Sequence, residues 1–269
     1  MENTKNVKSE KVSAVKGYDG YLIDLDGTVY RGKEEIEGAI DFINDLKKQN
    51  RKLLFITNNS SMRKERIAEK LQSLGAEVTS EEIFTSAIAT AAFIAETFPN
   101  DKVMIIGEEG LYQAIKEKGL DTTQEDPGVV VMGIDRDITY EKLAKASIAI
   151  QNGAHFISTN PDLVVPTDIG MVPANGSLTA VLTKSTGVNP IFIGKPESEM
   201  IDQALKHLGT QKENTLIIGD NYETDILTGI RAGIDTLLVL TGVTSRKELE
   251  NFKVMPTYIL ENLDEIKVK

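Results

Sequence analysis

Short apolar runs, each ended by a cluster of polar residues, recur along this chain of 269 residues and constrain its fold more than any other feature. They are Tyr21–Ile23, Lys52–Ile56, Ile191–Ile193, Leu216–Ile218 and Thr236–Leu240. Helical patterns lie between several of them. Ile36, Ala39, Ile40, Ile43 and Leu46 share one face, as do Ile67, Leu71 and Leu74. Another helix, carrying Met200, Ile201, Ala204, Leu205 and Leu208, takes Pro196 as its first residue and stops at Gly209. Alternation of this kind reads as a central parallel sheet covered by helices on both faces. Strands buried on both faces should be continuously apolar, as these are. The expected class is α/β.

The middle of the chain differs. Residues 87–177 hold their own strands (Val103–Ile106, Val129–Met132), their own helices (Leu111–Lys118, Tyr140–Asn152) and a stretch rich in Pro, Gly and Asn from Thr159 to Gly176. That is enough for a second, smaller α/β unit inserted into the first, which would comprise 17–86 and 178–269. Residues 1–16 are polar and dotted with lysine, and read as a solvated tail without a secretory signal. No apolar run approaches the roughly 20 residues of a membrane span. The absence of cysteine removes disulfides, thiolate metal sites and a thiol nucleophile, and fits a cytoplasmic protein. A net charge of −11 argues against nucleic acid or an anionic membrane as partner. It also means that an anionic substrate would need local positive charge at its site.

In open parallel sheets, ligands bind outside the carboxyl ends of the strands. Every polar cluster here sits at such an end. Asp24 and Asp26 follow the first run, where uncompensated buried carboxylates would cost several kcal/mol and so call for a cation. Thr57, Asn58, Asn59 and Ser60 follow the second, Lys195 follows Ile191–Ile193 across Gly194, and Asp220 and Asp225 follow Leu216–Ile218. A phosphoryl-transfer site needs a nucleophile, a proton donor, donors to the phosphoryl oxygens and a metal, and this inventory can fill each role. With no cysteine, two histidines and no G-x-S-x-G turn, carboxylate attack is the reading left standing. Each cluster also has a plainer reading. The acids could cap exposed turns, Thr57 to Ser60 could cap the next helix, Lys195 could be solvated, and Asp225 could favour a helix start.

In this order, Asp24-Leu25-Asp26-Gly27-Thr28, Thr57-Asn58-Asn59-Ser60, Gly194-Lys195-Pro196 and Gly219-Asp220 through Asp225 resemble the haloacid dehalogenase superfamily of aspartate-nucleophile phosphatases. The Thr-Asn-Asn-Ser form, with a large insert before the lysine, is similar to the NagD-like or p-nitrophenylphosphatase-like subgroup, which has acid sugar phosphatases among its relatives. The resemblance implies a Rossmann-like core with an inserted C2-type α/β cap. It implies that Asp24 attacks phosphorus and that Asp26 acts as acid and base while its backbone carbonyl touches the metal. Thr57 and Asn58 would hold phosphoryl oxygens, and Lys195 would offset charge. Asp220 would bind Mg²⁺ with Asp24, and Asp225 would act from behind or position Lys195. Mg²⁺ suits such an all-oxygen set.

Substrate choice would then live in the cap. Asn160, Asp162, Val164 and Val165 are the candidates for contact with the leaving group, although the valines could equally be cap core. The expected activity is hydrolysis of a small phosphorylated metabolite, such as a sugar phosphate, and of p-nitrophenyl phosphate in vitro. A homo-oligomer through the cap is compatible with this reading. The alternatives are a non-catalytic sensor of a phospho-ligand, a phosphomutase and a dehalogenase. The dehalogenase is disfavoured by Asp26, because a departing halide needs no proton donor.

Overall fold

A computed structural model describes residues 15–167 and 169–266. Most of the expected tail lies outside them. Its last two residues are tied down: Val15 is buried in the first core, and Lys16 pairs with Asp235 at 3.0 Å.

In chain order the first unit opens with β1 (Gly20–Ile23), a two-residue ribbon of β2 (Tyr30–Arg31) and β3 (Glu34–Glu35), α1 (Ala39–Lys48), β4 (Lys52–Thr57), α2 (Lys64–Ser73), β5 (Ile83–Thr85) and α3 (Ser86–Thr97). The chain continues through β6 (Val103–Ile106), α4 (Glu109–Glu117), β7 (Val129–Met132), α5 (Tyr140–Gln151) and β8 (His155–Ser158). A hairpin, β9 (Val164–Thr167) and β10 (Gly170–Pro173), precedes α6 (Asn175–Thr186) and β11 (Ile191–Phe192). Then come α7 (Glu199–Leu208), β12 (Thr215–Gly219), α8 (Leu227–Ala232), β13 (Asp235–Val239) and β14 (Tyr258–Leu260).

Six strands form a parallel sheet in the order β14-β13-β12-β1-β4-β5, and four form another in the order β11-β8-β7-β6. Alternate residues of each strand serve opposite faces. Tyr21 and Ile23 of β1, with Leu53 and Phe55 of β4, face α1 and α2. Leu22, Leu54 and Ile56 face the other way, into an apolar cluster that also holds Val103, Val129, Val131 and Ile157 of the second sheet. The helices α3, α4 and α7 supply much of the remainder, with Phe84 of β5 and Ile217 of β12. The two sheets therefore share one core layer. α3 is built for it: Ala87, Ala89, Ala91 and Ile94 are buried and Ile88 and Phe93 pack against the same cluster, leaving only Glu96 and Thr97 at its end exposed. The Thr85 hydroxyl starts it by accepting from the Ile88 N–H at 3.2 Å.

Two elements depart from the sequence reading. Ile191 and Phe192 pair with Ile157 and Ser158 of the second sheet, not with the first. The chain returns from α6, which packs on β8, β9 and β10, and so meets β8 before it reaches the first sheet. Where the sequence places the exit from the second unit before Leu178, the chain thus stays with that sheet to Phe192. The helix expected to start at Pro196 begins at Glu199, after a turn over 194–198 that leaves Lys195 outside regular structure.

Candidate active site

Asp24, Asp26, Thr57, Asn58, Lys195, Asp220 and Asp225 line one cavity of about 440 Å³ at the carboxyl ends of the strands. At its floor, Lys195 Nζ donates to Asp24 Oδ1 at 2.5 Å and to Asp225 Oδ1 at 2.6 Å, with all three residues buried. Among the described residues nothing donates to Asp24 Oδ2. Asp225 lies in a single π-turn, Tyr222–Ile226, and its other oxygen accepts from the Asn221 N–H at 3.1 Å. Both of its oxygens are thus engaged by the protein itself.

The carboxylate of Asp220 is enclosed differently. Its Oδ2 accepts from the Val243 N–H at 2.7 Å and its Oδ1 from the Thr28 hydroxyl at 3.3 Å. Two glycines make room for it. A Cβ on Gly27, whose φ is +90°, would lie 2.4 Å from Asp220 Oδ2, and one on Gly242 would lie 1.8 Å away. The Gly242–Val243 contact was not anticipated from sequence, although its position just past the run Thr236–Leu240 obeys the same strand-end rule.

These acids resist ionising. Burial, then the charge of Asp225, raise the Asp24 carboxyl well above the usual carboxylate range despite Lys195. The same two causes push Asp220 up to about 6, against the Val243 N–H and Lys195. Burial also raises Asp26, which stands at the cavity's more exposed side. Burial alone would push Lys195 down, but Asp225 and Asp24 outweigh it and keep the ammonium charged. One lysine therefore faces three buried carboxylates, whose oxygens lie within 4.8 Å of one another. That donor set, all oxygen and short of positive charge, fits a small hard divalent cation.

The Thr57–Ser60 stretch does not cap α2, which starts at Lys64 without a side-chain cap. Instead Thr57 Oγ1 accepts from the Asn59 N–H at 3.1 Å, and Asn59 Oδ1 accepts from the Ser61 and Met62 N–H groups at 3.0 Å, holding a tight turn. Val164 and Val165 form part of the apolar side of the cavity and are largely exposed. Asn160 is buried and Asp162 half-buried, and both turn toward Asn58. Ser86, whose hydroxyl donates to the Asn58 carbonyl at 2.8 Å, and Asn175 had no signal in the sequence beyond their residue type.

Comparison with known proteins places this geometry. Residues 21–121 match the family model of haloacid dehalogenase-like hydrolases, and residues 192–266 match a HAD-hydrolase-like model. Over 251 residues the chain is 53% identical to the 5'-nucleotidase YutF of Bacillus subtilis, covering 93% of this chain and 98% of that protein. It is 46% identical over 254 residues to the acid sugar phosphatase of Staphylococcus saprophyticus, covering 94% and 98%. A crystal structure of a thermostable NPPase mutant from Geobacillus stearothermophilus superposes with a TM-score of 0.89 at 50% identity, over 95% of this chain and all of that one. NagD from E. coli K-12 gives 0.89 at 32% identity, over 94% and 100%. The chain belongs to the haloacid dehalogenase superfamily. Within it, the chain is a NagD-like phosphatase, a phosphoric monoester hydrolase of a superfamily that generally uses a divalent metal. Among the described residues no helix is long and apolar enough to cross a membrane.

Proposed function

We propose that this chain hydrolyses small phosphomonoesters with Mg²⁺, through an aspartyl-phosphate formed on Asp24. The observation that carries the reading is the arrangement around Lys195. The lysine is shared between Asp24 and Asp225, so Asp220 is left without a cation of its own and one lysine cannot balance all the negative charge at the site. Asp24, Asp220 and the backbone carbonyl of Asp26 would hold the metal. When bound, Mg²⁺ supplies the charge that lets phosphoryl oxygens approach these carboxylates.

The Asp24 carboxylate attacks phosphorus, and the ester oxygen leaves with a proton from Asp26. Water then attacks the aspartyl-phosphate, Asp26 takes its proton, and inorganic phosphate departs. Burial raises the Asp26 carboxyl, the direction that favours proton donation to the leaving oxygen. The Thr57 hydroxyl and Asn58 bind phosphoryl oxygens, Lys195 offsets charge between Asp24 and the phosphate, and Asp225 holds Lys195 in place.

We read the inserted unit, which runs on to Phe192, as a substrate-selecting cap, with Val164 and Val165 toward the leaving group. The names of the relatives support a sugar phosphate, a nucleotide or an aryl phosphate as the ester. We also read the enzyme as cytoplasmic, acting on a small phosphorylated metabolite and not on nucleic acid or a membrane. A homo-oligomer through the cap remains compatible with it. The test is phosphate release from p-nitrophenyl phosphate with Mg²⁺, then from a panel of sugar phosphates and nucleotides, beside an Asp24→Asn control. Release at the control's level with every ester would leave a phospho-ligand sensor as the better reading.

A further inference from the structure

The loop that leaves β8 crosses to the first sheet and holds Asn58 by its side-chain nitrogen and its backbone carbonyl. Asn58 Nδ2 donates to Asp162 Oδ1 at 3.2 Å and Oδ2 at 3.0 Å, and to the Lys195 carbonyl at 2.9 Å. The Asn58 carbonyl accepts from Asn160 Nδ2 at 2.9 Å. The gripping residues are themselves held. Asn175 Nδ2 donates to the Asn160 carbonyl at 2.7 Å, Asn160 Oδ1 accepts from the Asp162 N–H at 3.2 Å, and the Asp162 carbonyl accepts from the Gly176 N–H at 2.7 Å. Asn58 Oδ1 is buried with no donor and lies against Gly194, where an added Cβ would come within 2.6 Å of it.

Two consequences follow from this packing. The Asn58 side-chain nitrogen already serves three acceptors, so Asn58 would meet a phosphoryl oxygen through its backbone N–H, which its side chain holds in place. Asp162, in turn, spends both carboxylate oxygens on Asn58 instead of facing a leaving group. A bare carboxylate this close to a phosphate would repel it, and the structure gives that carboxylate a different task.

The geometry points to Asp162 as a positioning residue: with Asn160, it holds Asn58 and the loop around it in the phosphate-receiving position from the opposite sheet. This rests on the reading of Thr57 and Asn58 as the residues that receive phosphate. It makes phosphate recognition conditional on the docked position of the second sheet. It also frees the aliphatic side of the cavity, Val164 and Val165, to be the leaving-group wall.

Inorganic phosphate separates the two roles of Asp162, because it has no leaving group. Its affinity for the full chain with Mg²⁺ is measured by titration calorimetry for the wild type, Asp162→Ala, Asp162→Asn, Asn58→Ala and the Asp162→Ala/Asn58→Ala double variant. Loss of hydrogen bonds to a charged group predicts about a tenfold weaker Kd for Asp162→Ala. Asp162→Asn keeps an acceptor for the Asn58 amide and should recover most of that loss. The double variant should bind within about twofold of the weaker single, because both substitutions break one contact.

Unchanged or tighter phosphate binding in Asp162→Ala overturns the proposal, as do additive losses. An Asp162→Asn variant as weak as Asp162→Ala overturns it too. So does an Asp162→Ala variant that raises KM for esters while its phosphate affinity stays put, since that marks a leaving-group contact. If Asp162→Ala does not fold, Asp162→Asn and Asn58→Ala decide: near-normal affinity in the first with weakened affinity in the second supports the proposal, and the reverse overturns it. A wild type that binds phosphate but hydrolyses no ester removes the hydrolytic reading alone. A wild type that binds no phosphate removes both.

Discussion

The two parallel sheets contribute opposite chemistry to one cavity. The edge of the six-stranded sheet supplies carboxylates: Asp24 and Asp26 after β1, Asp220 and Asp225 after β12. The edge of the four-stranded sheet supplies the lysine that meets them, carried past β11 across Gly194, and the amide-rich loop after β8. Repelling acids can be gathered on one edge because their counter-charge arrives from the other. The site exists only when both sheets are in place.

This contrast gives its sharpest prediction at Asp24. If Asp24 is the nucleophile proposed above, Asp24→Asn should lower kcat by at least about 10⁴-fold in a p-nitrophenyl phosphate assay. The same change removes a buried carboxylate that resists ionising, so the metal-free protein should melt no lower than the wild type. A clear fall in Tm would break the picture of an acid-crowded edge.

Lys195→Met tests the other edge. It leaves Asp24 and Asp225 buried without their shared cation, a loss expected to cost about 3–5 kcal/mol. Urea midpoints should fall accordingly, and activity should fall by about 10²-fold or more through lost charge stabilisation. The comparison is sharpened if removing an acid is tolerated while removing the cation is not.

The proposed metal role of Asp220 is tested through its titration. Its folded pKa of about 6 lies above the ordinary 3.8, so in EDTA it contributes stability that is complete below that ordinary value and is lost as pH rises through about 6. Protons and metal compete for the same carboxylate. The gain in Tm on adding Mg²⁺ should therefore be small near pH 4 and grow up to about pH 7, read by paired thermal melts. A gain independent of pH would detach Asp220 from the metal.

The smallest effect belongs to the cavity's apolar side. Val164→Ala and Val165→Ala should change KM for bulky esters by only a few fold, about 1 kcal/mol each, and leave the affinity for inorganic phosphate unchanged. Equal loss for phosphate would place the valines nearer the reacting group than the leaving-group wall allows.

Much of this was legible before any coordinates, for a physical reason. A buried strand that ends in acids or amides announces a site, because such residues seldom terminate a core strand without a task. Asp24, Asn58, Asp220 and Asp225 share that signature, and they meet Thr57 and Lys195, which also follow apolar runs, in one cavity. What sequence could not give was direction. Asn160 and Asp162 sit where a leaving-group contact would sit, yet their side chains answer to Asn58, more than 100 positions away. Ile191 and Phe192 read as a buried strand in the sequence, yet at the edge of the second sheet Ile191 is exposed and Phe192 half-buried. Partner choice over such distances is settled by packing, which periodicity does not encode.

The layer shared by the sheets limits how this enzyme can be rebuilt. Leu22, Leu54 and Ile56 lean on the same helices as Val103, Val129 and Ile157, and each buried Leu, Ile or Val is worth about 1.5–3 kcal/mol. A chimera that grafts a relative's 87–192 onto this chain brings a foreign α3, whose apolar surface must match Leu22, Leu54 and Ile56 as well as the cavity rim. Transplanted selectivity would otherwise come with a seam that water can enter.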